Sequence, residues 1–404
     1  MDVYSKMADH VVCKKAHLHS APDGVAAAKM YDDYLYYPLG LQDEINKLIR
    51  MTNIPAMSYT SAKGIVDETL PSWSPDLPNT TDCSRNCDLL LLFGPLLSDT
   101  NTTRWTAIPP TNNVVSFCQD SVIVPNATKL RKGNVKGLTA ANLDDKKLNR
   151  RYPLKGKKVL TDLVSTIEAD PALQGHLQWP AVETNRSSIP ARNIPTPSGP
   201  ITQDDFWPSM SAYLKPEDTI LLANGTPLIG GRALQLPSNC QVVASPIWNA
   251  IGSMLPAAQG IAAAKRDHQL PGRTILFEGD GSFQVTCQAV SDMIRYKLDV
   301  TIFIVNNAGY TYERWLNGMD AEYNDAPSWQ YVDAPKFFGA QMDDPSYPVF
   351  SRRAETWEQL SEVLAEEKAN DGKGLKIFDV VMDLKDVPHA AKPGLQRPSE
   401  ALRI

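Results

Sequence analysis

Residues 273–310 constrain the fold more tightly than any other part of the chain. "RTILFEGDGS" (273–282) reads as a buried strand running into a tight turn, "SFQVTCQAVSDMIRY" as a helix with Phe283, Val290 and Ile294 turned inward, and "DVTIFIVNNAGY" (299–310) as the next strand. Strand, helix and strand make a βαβ unit, whose crossover is right-handed. That handedness places Asp280 and Asn307 at the same, carboxyl edge of a parallel sheet, where open α/β sheets bind ligands. Asp280 stands between Gly279 and Gly281, and glycine lets backbone approach a guest closely. The guest expected there is a phosphate, a metal, or both.

The rest of the chain repeats the alternation. Residues 41–170 are expected to form a central α/β domain, with a helix at "LQDEINKLIRMTN" carrying Leu41, Ile45, Leu48 and Ile49 on one face. Strands are expected there at "IPAMSYT", within "CDLLLLFGPLLSD", and at "NNVVSFCQD" and "SVIVPNA". Residues 171–203 are crowded with Pro, Ser and Thr, a linker composition. A second α/β domain is expected over 204–390. Its strand-like stretches are "DTILLANGT", "CQVVASPIWNAIG", the two already named and "GLKIFDVVMDL", and it has a helix at "AETWEQLSEVLAEEK" with Trp357, Leu360 and Leu364 at helical spacing. Residues 1–40 read as an irregular segment with at most a short helix near "DGVAAAKMYDDYL", and 391–404 as a tail. The fold class expected is therefore α/β, with two doubly wound parallel-sheet domains.

Several function classes are disfavoured. A net charge of −6 argues against general nucleic-acid binding, which needs a surplus of Lys and Arg, and the basic run at 146–158 reads as a solvated connection. No stretch approaches the apolar length of a membrane span. The six cysteines, Cys13, Cys83, Cys87, Cys118, Cys240 and Cys287, form no CxxC pair, which points to free thiols, a reducing compartment and a cytoplasmic location.

The site residues themselves indicate a chemistry. The Asp280 carboxylate, the Asn307 amide oxygen and a backbone carbonyl freed by the Gly309 turn are hard oxygen donors, suited to Mg²⁺ and to its habit of sharing a shell with phosphates. Backbone N–H groups at Gly281 and Ser282 are placed to receive phosphate oxygens. "GDGS" alone is as readily an ordinary turn; the pairing with "NNAGY", each after its own strand, is what specifies a metal and diphosphate site.

These residues resemble those of the thiamine diphosphate-dependent enzymes, whose cofactor motif begins with GDG and ends with NN. "WNAIGSMLPAAQGIAAA", "ILFEGDGSFQVTCQAVSDMIRYKLDVTIFIVNNAGYTYERWLNG" and "YNDAPSWQY" are similar to the C-terminal domain of fungal and plant pyruvate decarboxylases; "LIRMTNIPAMSYTSAKGIVDE" and "CDLLLLFGPLLSDTNT" are similar to that family's middle domain. The resemblance covers about residues 41–390. It implies that Asp280, Asn307 and the Gly309 carbonyl hold Mg²⁺, and that Thr226, Gly279, Gly281 and Ser282 surround the diphosphate. It places Ile251 under the thiazolium ring and the Asn249 backbone carbonyl opposite the aminopyrimidine, a position where the family more often has a small residue. It aligns Glu313 with the acid that lies near the substrate carboxylate and assists proton transfers. The activity implied is non-oxidative decarboxylation of a small 2-oxo acid, pyruvate or a relative, to an aldehyde.

The family's N-terminal, pyrimidine-binding domain supplies a glutamate and a paired-histidine motif. Here no glutamate precedes Glu44 and no "HH" occurs. The resemblance therefore implies a homo- or hetero-oligomer in which another chain brings a pyrimidine-binding domain. The alternatives are a catalytically impaired relative that assembles with full-length decarboxylases, or a longer gene product whose start lies upstream.

Overall fold

The computed structural model describes residues 40–75, 89–95, 97–102, 114–125, 149–170, 198–246, 248–366, 369 and 371–395. The expected helix near residues 23–35, the cysteines at 13, 83 and 87, most of the 171–203 stretch and the end of the tail lie outside them. The described cysteines, Cys118, Cys240 and Cys287, are free thiols. Among the described residues no helix is long and apolar enough to cross a membrane.

The larger sheet has six strands: β5 (Thr219–Leu222), β6 (Gln241–Ala244), β7 (Thr274–Gly279), β8 (Val300–Asn306), β9 (Val349–Ala354) and β10 (Leu375–Val381). They lie in the order β6-β5-β7-β8-β10-β9 with every pairing parallel. Side chains in a strand alternate between faces, and the core divides accordingly. Ile220, Leu222, Ile275, Phe277, Phe303, Val305, Phe378 and Val380 fill one apolar layer, while Leu221, Leu276, Ile302, Ile304 and Ile377 fill the other. Because both faces are covered, β5, β7 and β8 read as continuous apolar runs. The first layer packs under Phe206 and Trp207 of α3 (Gln203–Met210) and Leu228 of α4 (Thr226–Gly230). The second packs under α5 (Met254–His268), α6 (Asp280–Thr286) and α7 (Ala289–Arg295).

The expected single helix over 282–296 is two, broken at Cys287–Gln288, with Phe283 and Val290 fully buried and Ile294 partly so. Strand β9 is an addition to the expected set. Its arginines Arg352 and Arg353 are exposed, as suits an edge strand, and they hide the apolar signal.

The smaller sheet joins β1 (Leu90–Phe93), β2 (Val114–Phe117), β3 (Val122–Pro125) and β4 (Asn149–Tyr152) in sequence order. Its α/β character agrees with expectation; among the described residues β1 and β2 pair parallel while β2–β3 and β3–β4 pair antiparallel, which makes the sheet mixed there. Helices α1 (Gln42–Thr52) and α2 (Gly156–Ala169) cover it, burying Ile45, Leu48, Ile49, Leu160 and Val164 against Phe117 and Val122. "IPAMSYT" contributes no strand, only an isolated bridge between Ala56 and Trp73.

The two lobes are joined through buried charge. Lys63 Nζ donates to Glu68 Oε1 at 3.0 Å and to the Leu234 carbonyl of the larger lobe at 2.7 Å, and the Leu236 N–H donates to Glu68 Oε2 at 3.2 Å. Burial holds the Lys63 pKa down and pushes the Glu68 pKa up, each against the attraction of the other.

Candidate functional site

The carboxyl edge of the large sheet opens into a cleft of about 370 Å³. Thr226, Asn249, Ile251, Gly279, Asp280, Gly281, Ser282, Asn307, Gly309 and Glu313 all line it, together with Thr60, Asp99 and Thr100 of the smaller lobe. Topology brings these distant residues together, because β5, β7 and β8 all finish on this edge.

Asp280 is the first residue of α6 and only 2% exposed. Its carboxylate is fixed from both sides: the Gly281 N–H donates to Oδ1 at 2.7 Å and the Gly309 N–H to Oδ2 at 2.8 Å. Burial nevertheless pushes its pKa up to about 6, with those N–H groups offsetting part of the shift. No cation among the described residues pairs with it. The expectation that Gly281 N–H is free for a phosphate is thus modified, since Asp280 takes it. The Ser282 hydroxyl accepts from the Gly252 N–H at 2.7 Å, so its own proton is left to donate elsewhere.

Gly281 and Gly309 are required by close approach. A Cβ on Gly281 would come within 2.5 Å of the Tyr310 ring, and one on Gly309 within 2.2 Å of the Asn324 carbonyl, with Gly309 also at φ +141°. Next to Gly309, Ala308 holds φ +55°, an uncommon state for a residue with a side chain. Asn307, between this turn and β8, is buried. One carboxylate, one amide and backbone carbonyls, presented by a rigid glycine turn, fit a hard divalent cation such as Mg²⁺.

On the other wall, Asn249 has φ +47°, a conformation glycine and asparagine adopt more readily than other residues, which accounts for Asn at this position. Its Nδ2 donates to Thr100 Oγ1 at 3.1 Å, tying this loop to the smaller lobe. Ile251, in the cleft lining, is 42% exposed, and Trp248, three residues earlier in the same loop, is 63% exposed. Glu313, on α8 (Thr311–Asn317), is exposed and accepts from Asn317 Nδ2 at 2.6 Å.

Sequence reasoning missed four features of the site. Tyr310 closes over Gly281. Arg232 reaches the cleft from the large lobe and donates to Thr60 Oγ1 at 3.0 Å. Asn224, after β5, is buried with neither amide atom partnered among the described residues. Glu278, just before the glycine turn, is fully buried with both oxygens unpartnered among the described residues, and burial drives its pKa up to about 8. A glutamate closing the otherwise apolar "TILFEG" is the signal that could have drawn attention to it.

The chain is similar to known proteins over most of its length. Residues 227–379 match the family model described as thiamine pyrophosphate enzyme, C-terminal TPP binding domain. The chain is 33% identical to a pyruvate decarboxylase of Aspergillus parasiticus over 358 residues, covering 86% of this chain and 57% of that protein. It is 29% identical to pyruvate decarboxylase isozyme 1 of Saccharomyces cerevisiae over 354 residues, covering 85% and 56%. The chain thus spans somewhat more than half the length of these relatives. An X-ray structure from Mycobacterium smegmatis, described as that of a thiamin diphosphate-dependent enzyme, superposes with a TM-score of 0.56 at 16% identity, covering 85% of this chain and 59% of that one; it speaks to the fold alone.

Proposed function

For a chain whose residues 227–379 belong to the thiamine pyrophosphate-binding C-terminal domains of thiamine pyrophosphate enzymes, and which is similar to pyruvate decarboxylases along most of its length, we propose a Mg²⁺-dependent carboxy-lyase activity on a small 2-oxo acid. The observation that carries this reading is the buried Asp280 carboxylate, gripped by two glycine N–H groups beside Asn307 and lacking a cation among the described residues. Bound thiamine diphosphate supplies an electron sink for loss of carbon dioxide.

The chain's own residues have separable tasks. Asp280, Asn307 and the Gly309 carbonyl would hold Mg²⁺, whose charge would offset that of a diphosphate. Ser282 donates its hydroxyl proton to that diphosphate, and Gly279, Gly281 and Thr226 let it approach the backbone. Ile251 would offer an apolar contact to the thiazolium ring, and the Asn249 carbonyl, on a loop tied down by the Thr100 link, would receive the aminopyrimidine. Strand order supports this layout. Thr226, at the end of β5, stands between the β7 and β8 ends that carry Asp280 and Asn307 and the loop after β6 that carries Asn249 and Ile251, so these residues could hold one extended ligand together. Glu313, at the open side of the cleft, would hold the proton that replaces the carboxylate lost as carbon dioxide. The exposed Trp248 and Ile251 surface supports covering of the cleft by a second chain bearing a pyrimidine-binding domain, in a homo- or hetero-oligomer.

Titration calorimetry with thiamine diphosphate and Mg²⁺ tests the reading directly. Uptake of the two together, each requiring the other, is the expected result; absence of uptake would overturn it. Turnover of pyruvate and longer 2-oxo acids, alone and with a full-length decarboxylase added, then measures the partner requirement, and Glu313→Gln is expected to lower kcat while leaving cofactor uptake unchanged.

A further inference from the structure

The turn carrying Asn307 and Gly309 is held by a line of hydrogen bonds that reaches the far edge of the sheet. Ala308, between the two, sits at φ +55°, and its N–H donates to Asn306 Oδ1 at 3.3 Å. The Asn306 Nδ2 donates in turn to Asp379 Oδ1 at 2.8 Å. Asp379 lies on β10 at 1% exposure, and its Oδ2 accepts from Arg353 Nη1 at 2.6 Å, across the register pair that joins β10 to β9. Arg353 is 40% exposed at its side chain and is steadied by Glu355, to which its Nε donates at 2.9 Å.

Each link admits one orientation. An amide has a donating end and an accepting end, and Asn306 meets a carboxylate with the first and a backbone N–H with the second. Rotating that amide would set its oxygen against the Asp379 carboxylate and its NH₂ against the Ala308 N–H, losing both bonds. The Asp379 charge therefore decides which way Asn306 points. Asn306 in turn secures the left-handed turn at Ala308, an arrangement that persists only where its surroundings over-determine it. On the other side of the turn, the Gly309 N–H is already committed to Asp280.

We propose that Asp379, tethered by Arg353, is a positioning residue for the metal-binding turn: through Asn306 it fixes the backbone that presents Asn307 and Gly309 to the cation. The inference rests on the reading of Asp280, Asn307 and Gly309 as metal ligands. Asp379 touches neither cation nor cofactor, and acts as outer partners of metal ligands generally do, by orienting the groups that bind.

The test measures how much Mg²⁺ is needed for half-maximal thiamine diphosphate uptake by the full chain, using calorimetry, with urea unfolding alongside. Asp379→Asn removes the charge and keeps the shape; it is expected to raise the Mg²⁺ requirement roughly 10- to 100-fold. Arg353→Met, at the surface end of the line, should raise it less, and Arg353→Lys should recover most of the difference. These two surface variants carry the test should Asp379→Asn fail to fold. A purely structural role would lower the urea midpoint and leave the Mg²⁺ requirement at its wild-type value, and that outcome in Arg353→Met overturns the proposal. Wild-type protein that takes up no cofactor at any Mg²⁺ concentration overturns the metal assignment itself, and this inference with it.

Discussion

The two edges of the six-stranded sheet treat buried polar groups in opposite ways. At the amino edge nearly every charge has its counterpart. Asp218 accepts from the backbone N–H and Nε of Arg273, each at 3.0 Å, and from its Nη2; Asp299 accepts from the Gly374 N–H; Lys376 pairs with Asp371 at 2.8 Å. At the carboxyl edge Glu278 and Asn224 lack partners among the described residues, Asp280 carries a pKa raised by burial, and Ala308 occupies a left-handed conformation. Buried polar groups are ordinarily satisfied, and those that are not call for an explanation. The contrast teaches that one edge closes the fold while the other keeps its bonding capacity for a ligand.

The comparison can be broken at four points. The largest effect is expected from Asp280→Ala, which should abolish joint uptake of thiamine diphosphate and Mg²⁺ in a calorimetric titration while the free protein folds normally. Asp218→Ala on the opposite edge should do the reverse. It leaves the Arg273 guanidinium buried without its counter-charge and should cost about 3–5 kcal/mol in urea unfolding, with cofactor affinity in the surviving folded protein unchanged.

A pH series then probes Glu278. Its folded-state pKa, about 8, lies above its ordinary 4.5, so folding favours the protonated form. Wild-type stability should be full below the ordinary value and fall as pH rises toward 8, by on the order of 5 kcal/mol. Glu278→Gln cannot ionise and should flatten that decline, which melting curves at several pH values will show. The smallest effect is expected from Gly281→Ala, whose added Cβ meets the Tyr310 ring; a crowding cost of about 1–3 kcal/mol should appear mainly as weaker thiamine diphosphate binding.

Much of the larger lobe was legible because its signals are local. "TILFEG" and "VTIFIVN" are strands buried on both faces, each followed within a few residues by its own turn, so the meeting of Asp280 and Asn307 follows from strand adjacency alone. Features that depend on a third strand were not legible. Asn306 reaches Asp379 across 73 positions of sequence, and nothing in "KIFDVV" distinguishes that aspartate from an ordinary interruption of an apolar run. Strand β9 escaped notice because an edge strand needs only one buried face, and "VFSRRA" reads as polar. In the smaller lobe, four-residue strands give too few turns of the period-two pattern to separate parallel from antiparallel pairing, and the mixed sheet was read as parallel. The φ of Asn249 shows how a departure in residue type can preserve a backbone shape, which only coordinates reveal.

The Lys63–Glu68 pair has a consequence for how this protein comes apart. Prising one lobe from the other would break the bonds to the Leu234 carbonyl and the Leu236 N–H, while Lys63 and Glu68 would stay paired with each other and regain the water that burial had taken from them. The seam is thus sealed by two backbone bonds and by apolar packing more than by its charges, and Lys63→Met with Glu68→Gln should shift the melting temperature less than the pair's burial suggests, which scanning calorimetry will measure.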